Sequence, residues 1–151
     1  MNKNKYILIY IILFCININA TDFNKHTISI GFFDNKAGIS LISYKYNISN
    51  DLKNDYFIGI GTALLAYTAS IGWEHTYKKS KLWTSSIILS EQAIAHLGFT
   101  GLFSNLSLSS SIPLTNYLDF KLGINGAIGY RLDQPRFAAF AYPFTGLDFN
   151  F

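Results

Sequence analysis

The feature that most constrains this chain is a two-residue period. Across residues 117–131, Leu118, Phe120, Leu122, Ile124, Ile128 and Tyr130 take alternate positions, with Gly126 weakening the series. Asp119, Lys121, Gly123, Asn125, Ala127, Gly129 and Arg131 fill the positions between them. Successive side chains of a strand point to opposite faces, so this spacing predicts a β-strand with one apolar face and one polar or small face. A helix would scatter the same residues around its axis, and the glycines would oppose it.

The pattern recurs along the chain. Ile28, Ile30 and Phe32 alternate with Ser29 and Gly31; Ile42, Tyr44, Tyr46 and Ile48 with Ser43, Lys45 and Asn47; Tyr56, Ile58 and Ile60 with Phe57, Gly59 and Gly61. Tyr67, Ala69, Ile71, Trp73 and Tyr77 share a face, as do Trp83, Ile87 and Leu89, and then Leu106, Leu108 and Ile112. The last segment ends with Leu147, Phe149 and Phe151 set against Asp148 and Asn150. Counted together, these segments predict eight antiparallel strands, an all-β fold closing as an up-and-down transmembrane β-barrel. An even count places both chain ends on one side. Connections near 49–54, 78–81 and 113–116 then fall on that side, and those near 34–37, 64–66, 91–101 and 132–139 face outward. The stretch 93–103 is apolar for an exposed loop and reads as strands extended above the membrane.

No run of 18 apolar residues follows the first 20 positions, so the sequence offers no membrane-spanning helix there. Residues 1–20 have the layout of a secretory signal peptide: Lys3 and Lys5, then an apolar stretch from Tyr6 to Ile16, then Asn17, Asn19 and Ala20. Cleavage after Ala20 leaves 21–151 as the barrel domain. The single cysteine, Cys15, falls in the leader behind the bulky Phe14, which leaves the mature chain without disulfides or thiolate metal sites. Of 12 basic residues two go with the leader, leaving 10 against 9 acidic ones, and no basic block marks a nucleic-acid partner.

Alternation alone does not say which face meets solvent, because a soluble ligand-binding barrel has the same period. Three features favour lipid. The non-apolar faces carry mostly Gly, Ser, Ala and Thr. Aromatics gather at strand ends: Tyr44, Tyr46, Tyr56, Trp73, Tyr77, Trp83, Tyr117, Phe149 and Phe151 toward one rim, Phe32, Tyr67, Tyr130 and Tyr142 toward the other. Charges avoid the apolar faces in the clearest strands, where a Lys or Arg at mid-bilayer costs roughly 2–4 kcal/mol. Only 14% of residues are charged, against about 25% in ordinary soluble domains, and 17% are aromatic.

The C-terminal segment, with Tyr142, Gly146, Leu147, Phe149 and the final Phe151, resembles the insertion signal of bacterial outer-membrane barrels. The mature length is similar to that of OmpA/OmpX-type eight-stranded barrels. That resemblance implies an outer-membrane location, contact with outer-membrane lipid and lipopolysaccharide, and handling by barrel-insertion machinery.

Lys45, Glu74, Asp119, Lys121, Arg131 and Asp148 fall on the inward faces and are expected to form a plug of opposite charges, with Lys121 and Asp148 on adjacent strands. The rival reading is a polar channel or proton path. His96 with Glu91 and Ser104 near the outer rim offers a Ser–His–Glu set capable of nucleophilic chemistry on lipid A acyl chains. The His-x-Ser motif of lipid A deacylases is missing, and Gly72-Trp73-Glu74 is the only stretch shared with the palmitoyltransferase type. No phosphate loop or metal-ligand spacing appears, so no cofactor is expected. The sequence therefore predicts a non-enzymatic outer-membrane barrel that supports envelope integrity or presents surface loops. The alternatives are a lipid A acyl-modifying enzyme and a soluble periplasmic barrel holding an apolar ligand.

Overall fold

The computed structural model describes residues 25–49, 53–96 and 98–151. The expected signal peptide, its cleavage point and Cys15 lie outside these residues. Eight strands follow one another: β1 (His26–Phe32), β2 (Ile42–Asn47), β3 (Asn54–Ala63), β4 (Ala66–Lys79), β5 (Thr84–His96), β6 (Phe99–Pro113), β7 (Leu118–Arg131) and β8 (Arg136–Asn150). Each pairs antiparallel with its neighbours in sequence, and β8 returns to β1, giving a closed up-and-down barrel. The two ends of the strand series zip together, with His26 N–H donating to the Phe151 carbonyl at 3.0 Å and Phe151 N–H donating back at 2.9 Å.

The alternation resolves into an inside and an outside. On β7, Leu122 and Ile124 are 44% and 61% exposed while Lys121 and Asn125 are 1% and 0% exposed. The apolar face therefore looks outward and the polar face inward, the reverse of a soluble barrel. Ile30, Ile42, Ile58, Ile60, Ile71, Leu89, Leu106 and Leu108 continue the apolar exterior around the wall.

The register sets the width. Ser29 on β1 faces Asp148 on β8 directly, but the row followed from Ser29 through Ser43, Gly61, Thr68, Ile94, Gly101 and Arg131 reaches β8 at Arg136, twelve residues away. With strands about 4.8 Å apart and residues rising about 3.3 Å, that stagger tilts the strands by about 45°. Tilt and diameter rise together at fixed strand number, so the barrel has room inside for more than its own side chains.

A loop uses that room. Residues 34–37, expected to face outward, instead fold into the lumen, where Asp34, Asn35, Lys36 and Ala37 are 0–7% exposed. The turn inward begins at Phe33, whose φ of 63° is left-handed, and closes at Gly38, whose φ of 73° suits glycine. A Cβ at Gly38 would also sit 2.1 Å from Gln92 Oε1. Asp34 and Gly38 bridge each other by paired backbone hydrogen bonds, at 2.8 and 3.0 Å.

Three further expectations are corrected. The connections placed at 91–101 and 132–139 are shorter than expected, because β5 runs to His96, β6 starts at Phe99 and β8 starts at Arg136, so the apolar stretch 93–103 belongs largely to β5 and β6, as its reading as extended strands had it. Tyr142, expected at the outer girdle, points inward and is 9% exposed. The lumen is not uniformly small and polar either: Phe57, Ile88, Phe103 and Phe144 are buried in it at 0–2% exposure.

Candidate functional site

The lumen is built in layers, and the inward loop is its centre. Asp34 Oδ1 accepts from the backbone N–H of Lys36 at 2.8 Å and of Ala37 at 2.9 Å, so the carboxylate organises its own turn. Its other oxygen accepts from Lys121 Nζ at 2.6 Å and Ser43 Oγ at 2.9 Å, with Lys45 Nζ at 3.6 Å. Asp148 receives Lys121 at 2.7 Å, Lys45 at 3.0 Å and a short bond from Ser29 Oγ. Two lysines and two carboxylates therefore balance one another, bridging β1, β2, β7, β8 and the loop. Buried charges survive only when paired and hydrogen-bonded in this way.

The loop has further anchors. Lys36 Nζ lies 2.6 Å from Glu74 on β4 and 4.8 Å above the Phe57 ring. Asn35 donates to Ser109 Oγ at 3.1 Å and its carbonyl accepts from Ser107 Oγ at 3.1 Å. The loop thus ties to the wall on opposite sides. Between it and the turn at 79–81 lies a polar vestibule of about 460 Å³, lined in part by Thr27, Glu74, Ser86, Asp119 and Asn150.

On the other side of the loop the interior becomes aromatic. Ile94, Phe103 and Ala127 are buried against Ile39, Phe99, Ala138 and Phe140. Ring centroids are 5.3 Å apart for Phe99–Phe103, 5.4 Å for Phe103–Phe140 and 4.8 Å for Phe33–Tyr142. Tyr142 hydroxyl accepts from Asn125 Nδ2 at 2.6 Å, joining the aromatic layer to the polar wall below it. At these separations the rings pack against one another as a cluster on the inner faces of β6 and β8.

The residues singled out from sequence disperse into four places. Lys45, Lys121 and Asp148 meet around Asp34. Glu74 joins the network through Lys36. Asp119 lies nearer the chain-end rim, where it accepts from Asn150 Nδ2 at 2.9 Å. Arg131 sits at the opposite rim, stacked 4.8 Å over Phe99 and bound to Asp133 and to the Gly98 carbonyl. The Arg131 hydrogen bond, helped by Thr100 N–H, holds the Asp133 carboxyl well below the usual carboxylate range. At the C-terminus, Gly146 packs against Gly31, Phe149 faces outward and Phe151 stacks on His26 at 5.8 Å.

Glu91, Ser104 and His96 do not converge. Glu91 and Ser104 are paired across β5 and β6, with Ser104 Oγ donating to Glu91 Oε1 at 2.7 Å. His96 lies five residues farther along β5, about 16 Å at strand rise, and its Nδ1 accepts from Gly98 N–H. A base cannot serve a nucleophile across that distance. His75 is on the outer face, stacked on Trp73 and bonded to Asn54. Among the described residues no three of His, Cys, Asp and Glu stand together as a metal site.

Sequence reasoning missed Asp34, Asn35 and Lys36, which lock the interior. One signal was available: β1 and β2, at 7 and 6 residues, are much shorter than β4 to β8, so the intervening chain had length to spend elsewhere. The charged layer is neutralised internally: among the described residues Lys36, Lys45 and Lys121 each sit on a carboxylate, beside a cluster of packed rings. Comparison of this chain with protein families, with curated proteins and with solved structures found no match.

Proposed function

We propose that the chain is a lipid-embedded barrel of the bacterial outer membrane, closed to solutes, whose role is structural support of the envelope. The observation that carries this reading is the inverted wall: aliphatic side chains cover the outside while Lys45, Lys121 and Asp34 are sealed at 1–2% exposure inside. In water such a protein would display a continuous apolar surface far beyond the few hundred Å² that soluble proteins tolerate. In lipid, a closed barrel satisfies every ladder hydrogen bond internally.

The rim residues support the same placement. Tyr44, Tyr56, Tyr77, Trp83 and Tyr117 are exposed toward the end carrying the chain termini, and Phe32, Tyr67, Tyr130 and Phe137 toward the other. Amphipathic rings favour the headgroup level. Structural support is favoured over loop presentation because β3 and β4 are joined by only two residues and β7 and β8 by four, while the loop between β1 and β2 folds inside. Lipid A chemistry is disfavoured because His96 stands far from the Glu91–Ser104 pair. An apolar-ligand carrier is disfavoured because, among the described residues, ion pairs and rings occupy the interior.

The test is fractionation followed by conductance. The protein should stay in the membrane pellet after alkaline carbonate and shift its gel mobility on boiling. Reconstituted in planar bilayers it should pass no ion current. Release into the carbonate supernatant, or steady single-channel steps, overturns the placement or the closure respectively.

A further inference from the structure

The polar vestibule carries charges that the network beneath it does not use. Its floor is balanced: Lys36 sits on Glu74, while Lys45 and Lys121 share Asp34 and Asp148. Asp119, Lys79 and Lys81 also line the vestibule. Among the described residues none of these three has an oppositely charged group within 4 Å. The Asp119 carboxylate accepts from a neutral amide instead, Asn150 Nδ2 at 2.9 Å.

A break in the strand alternation aims one of the lysines inward. On β4 the inward side chains are even-numbered: Thr68 and Ser70 are buried, and Glu74 and Thr76 line the vestibule. The register with β5 then slips between Thr76 and Lys78, a bulge at Tyr77. Beyond it the faces are exchanged. Lys79, paired with Thr84, lines the vestibule, and Lys78 lies 4.7 Å over the Trp83 ring. Unbroken alternation would have put Lys79 outside. Bulges at barrel rims re-aim side chains in this way.

The vestibule's volume of about 460 Å³ falls within the roughly 300–1,000 Å³ of small-molecule sites. Its lining is polar apart from Pro113, which disfavours an apolar ligand. A simple anion entering it meets Asp119, and a simple cation meets Lys79 and Lys81. A molecule carrying both charges meets a partner for each. We infer that the vestibule binds a small zwitterion of the amino acid or short peptide class, its ammonium on Asp119 and its carboxylate on Lys79 and Lys81. Both contacts are charge-assisted hydrogen bonds. Hydroxyls of Thr84, Ser86 and Ser109 line the same space and can donate to or accept from a peptide unit. The site goes beyond the structural role proposed above and does not depend on the lipid placement.

The experiment titrates the full chain, folded in detergent micelles, with three probes and follows backbone amide NMR shifts. The probes are the dipeptide alanyl-alanine, its N-acetyl form and its C-terminal amide. The free dipeptide should bind saturably, and each blocked form at least about tenfold more weakly. Asp119→Asn should abolish the preference for the free amine, and Lys79→Gln with Lys81→Gln the preference for the free carboxylate. Lys78→Gln, on the outer face, should change neither. The boiling shift scores folding of each variant, and the three probes on the unaltered chain test the inference even where a variant does not fold. No saturable shift, equal affinity for all three probes, or a loss at Lys78 as large as at Lys79 overturns it.

Discussion

Replacing Lys121 with methionine tests whether charge balance holds the lumen closed. The substitution keeps the unbranched stem of the side chain and removes its ammonium. That group is buried and sits 2.6 Å from Asp34, 2.7 Å from Asp148 and 3.0 Å from Ser29 Oγ. At an effective dielectric of about 20, each of the two carboxylate contacts has a gross attraction of about 6 kcal/mol, most of it offset by desolvation of the partners. What remains after the change is Lys45 alone facing two carboxylates, at 3.0 and 3.6 Å. One negative charge is then buried without compensation, a situation that costs about 3–5 kcal/mol. Reversible urea unfolding in detergent micelles or lipid vesicles measures it. The decisive comparison is the double variant Lys121→Met with Asp34→Asn, which leaves one lysine and one carboxylate. If balance is the cause, the double variant recovers part of the loss despite removing two more polar contacts. A single variant costing under about 1 kcal/mol, or a double variant as unstable as the sum of both single ones, would refute the reasoning.

Other outcomes follow from the same structure. Gly129→Ala should destabilise by about 1–3 kcal/mol, because its Cβ would strike the Leu102 carbonyl and Phe103, while Gly126→Ala should be nearly neutral; chemical unfolding of the pair checks the contrast. Phe103→Ala should cost about 3–5 kcal/mol by opening a cavity in the aromatic layer, and a near-wild-type unfolding midpoint would remove that layer from the account. The depressed Asp133 carboxyl should stay ionised through pH 4, where free carboxylates take up protons. Its contribution is present above the unfolded-state pKa and is lost only as pH falls through the lower folded one, which a carboxyl carbon NMR titration will follow. This clasp lies at the rim beside solvent, so its titration should shift the unfolding midpoint only slightly.

The sequence by itself determined the strand period, the number of strands and which residues share a face. Those follow from local geometry, since a two-residue repeat is visible wherever one face is apolar and the other is not. On β7 that contrast is complete, and Leu122, Lys121, Ile124 and Asn125 sort correctly. It fades on the outer halves of β5, β6 and β8, where Ile94, Phe103, Phe140 and Tyr142 make the inward face apolar as well, so alternation there no longer marked where the strands end. Facing was legible for Lys45, Lys121, Glu74 and Asp148, but their partners were not. The partner that organises them, Asp34, lies in a connection whose polar run 34–36 reads locally as an exposed turn. Only the closed barrel, with its twelve-residue stagger, provides an interior wide enough to take that turn in, and stagger is a property of all eight registers at once. A residue's face is decided by its two neighbours in the chain; what fills the space behind that face is decided by strands a hundred residues away.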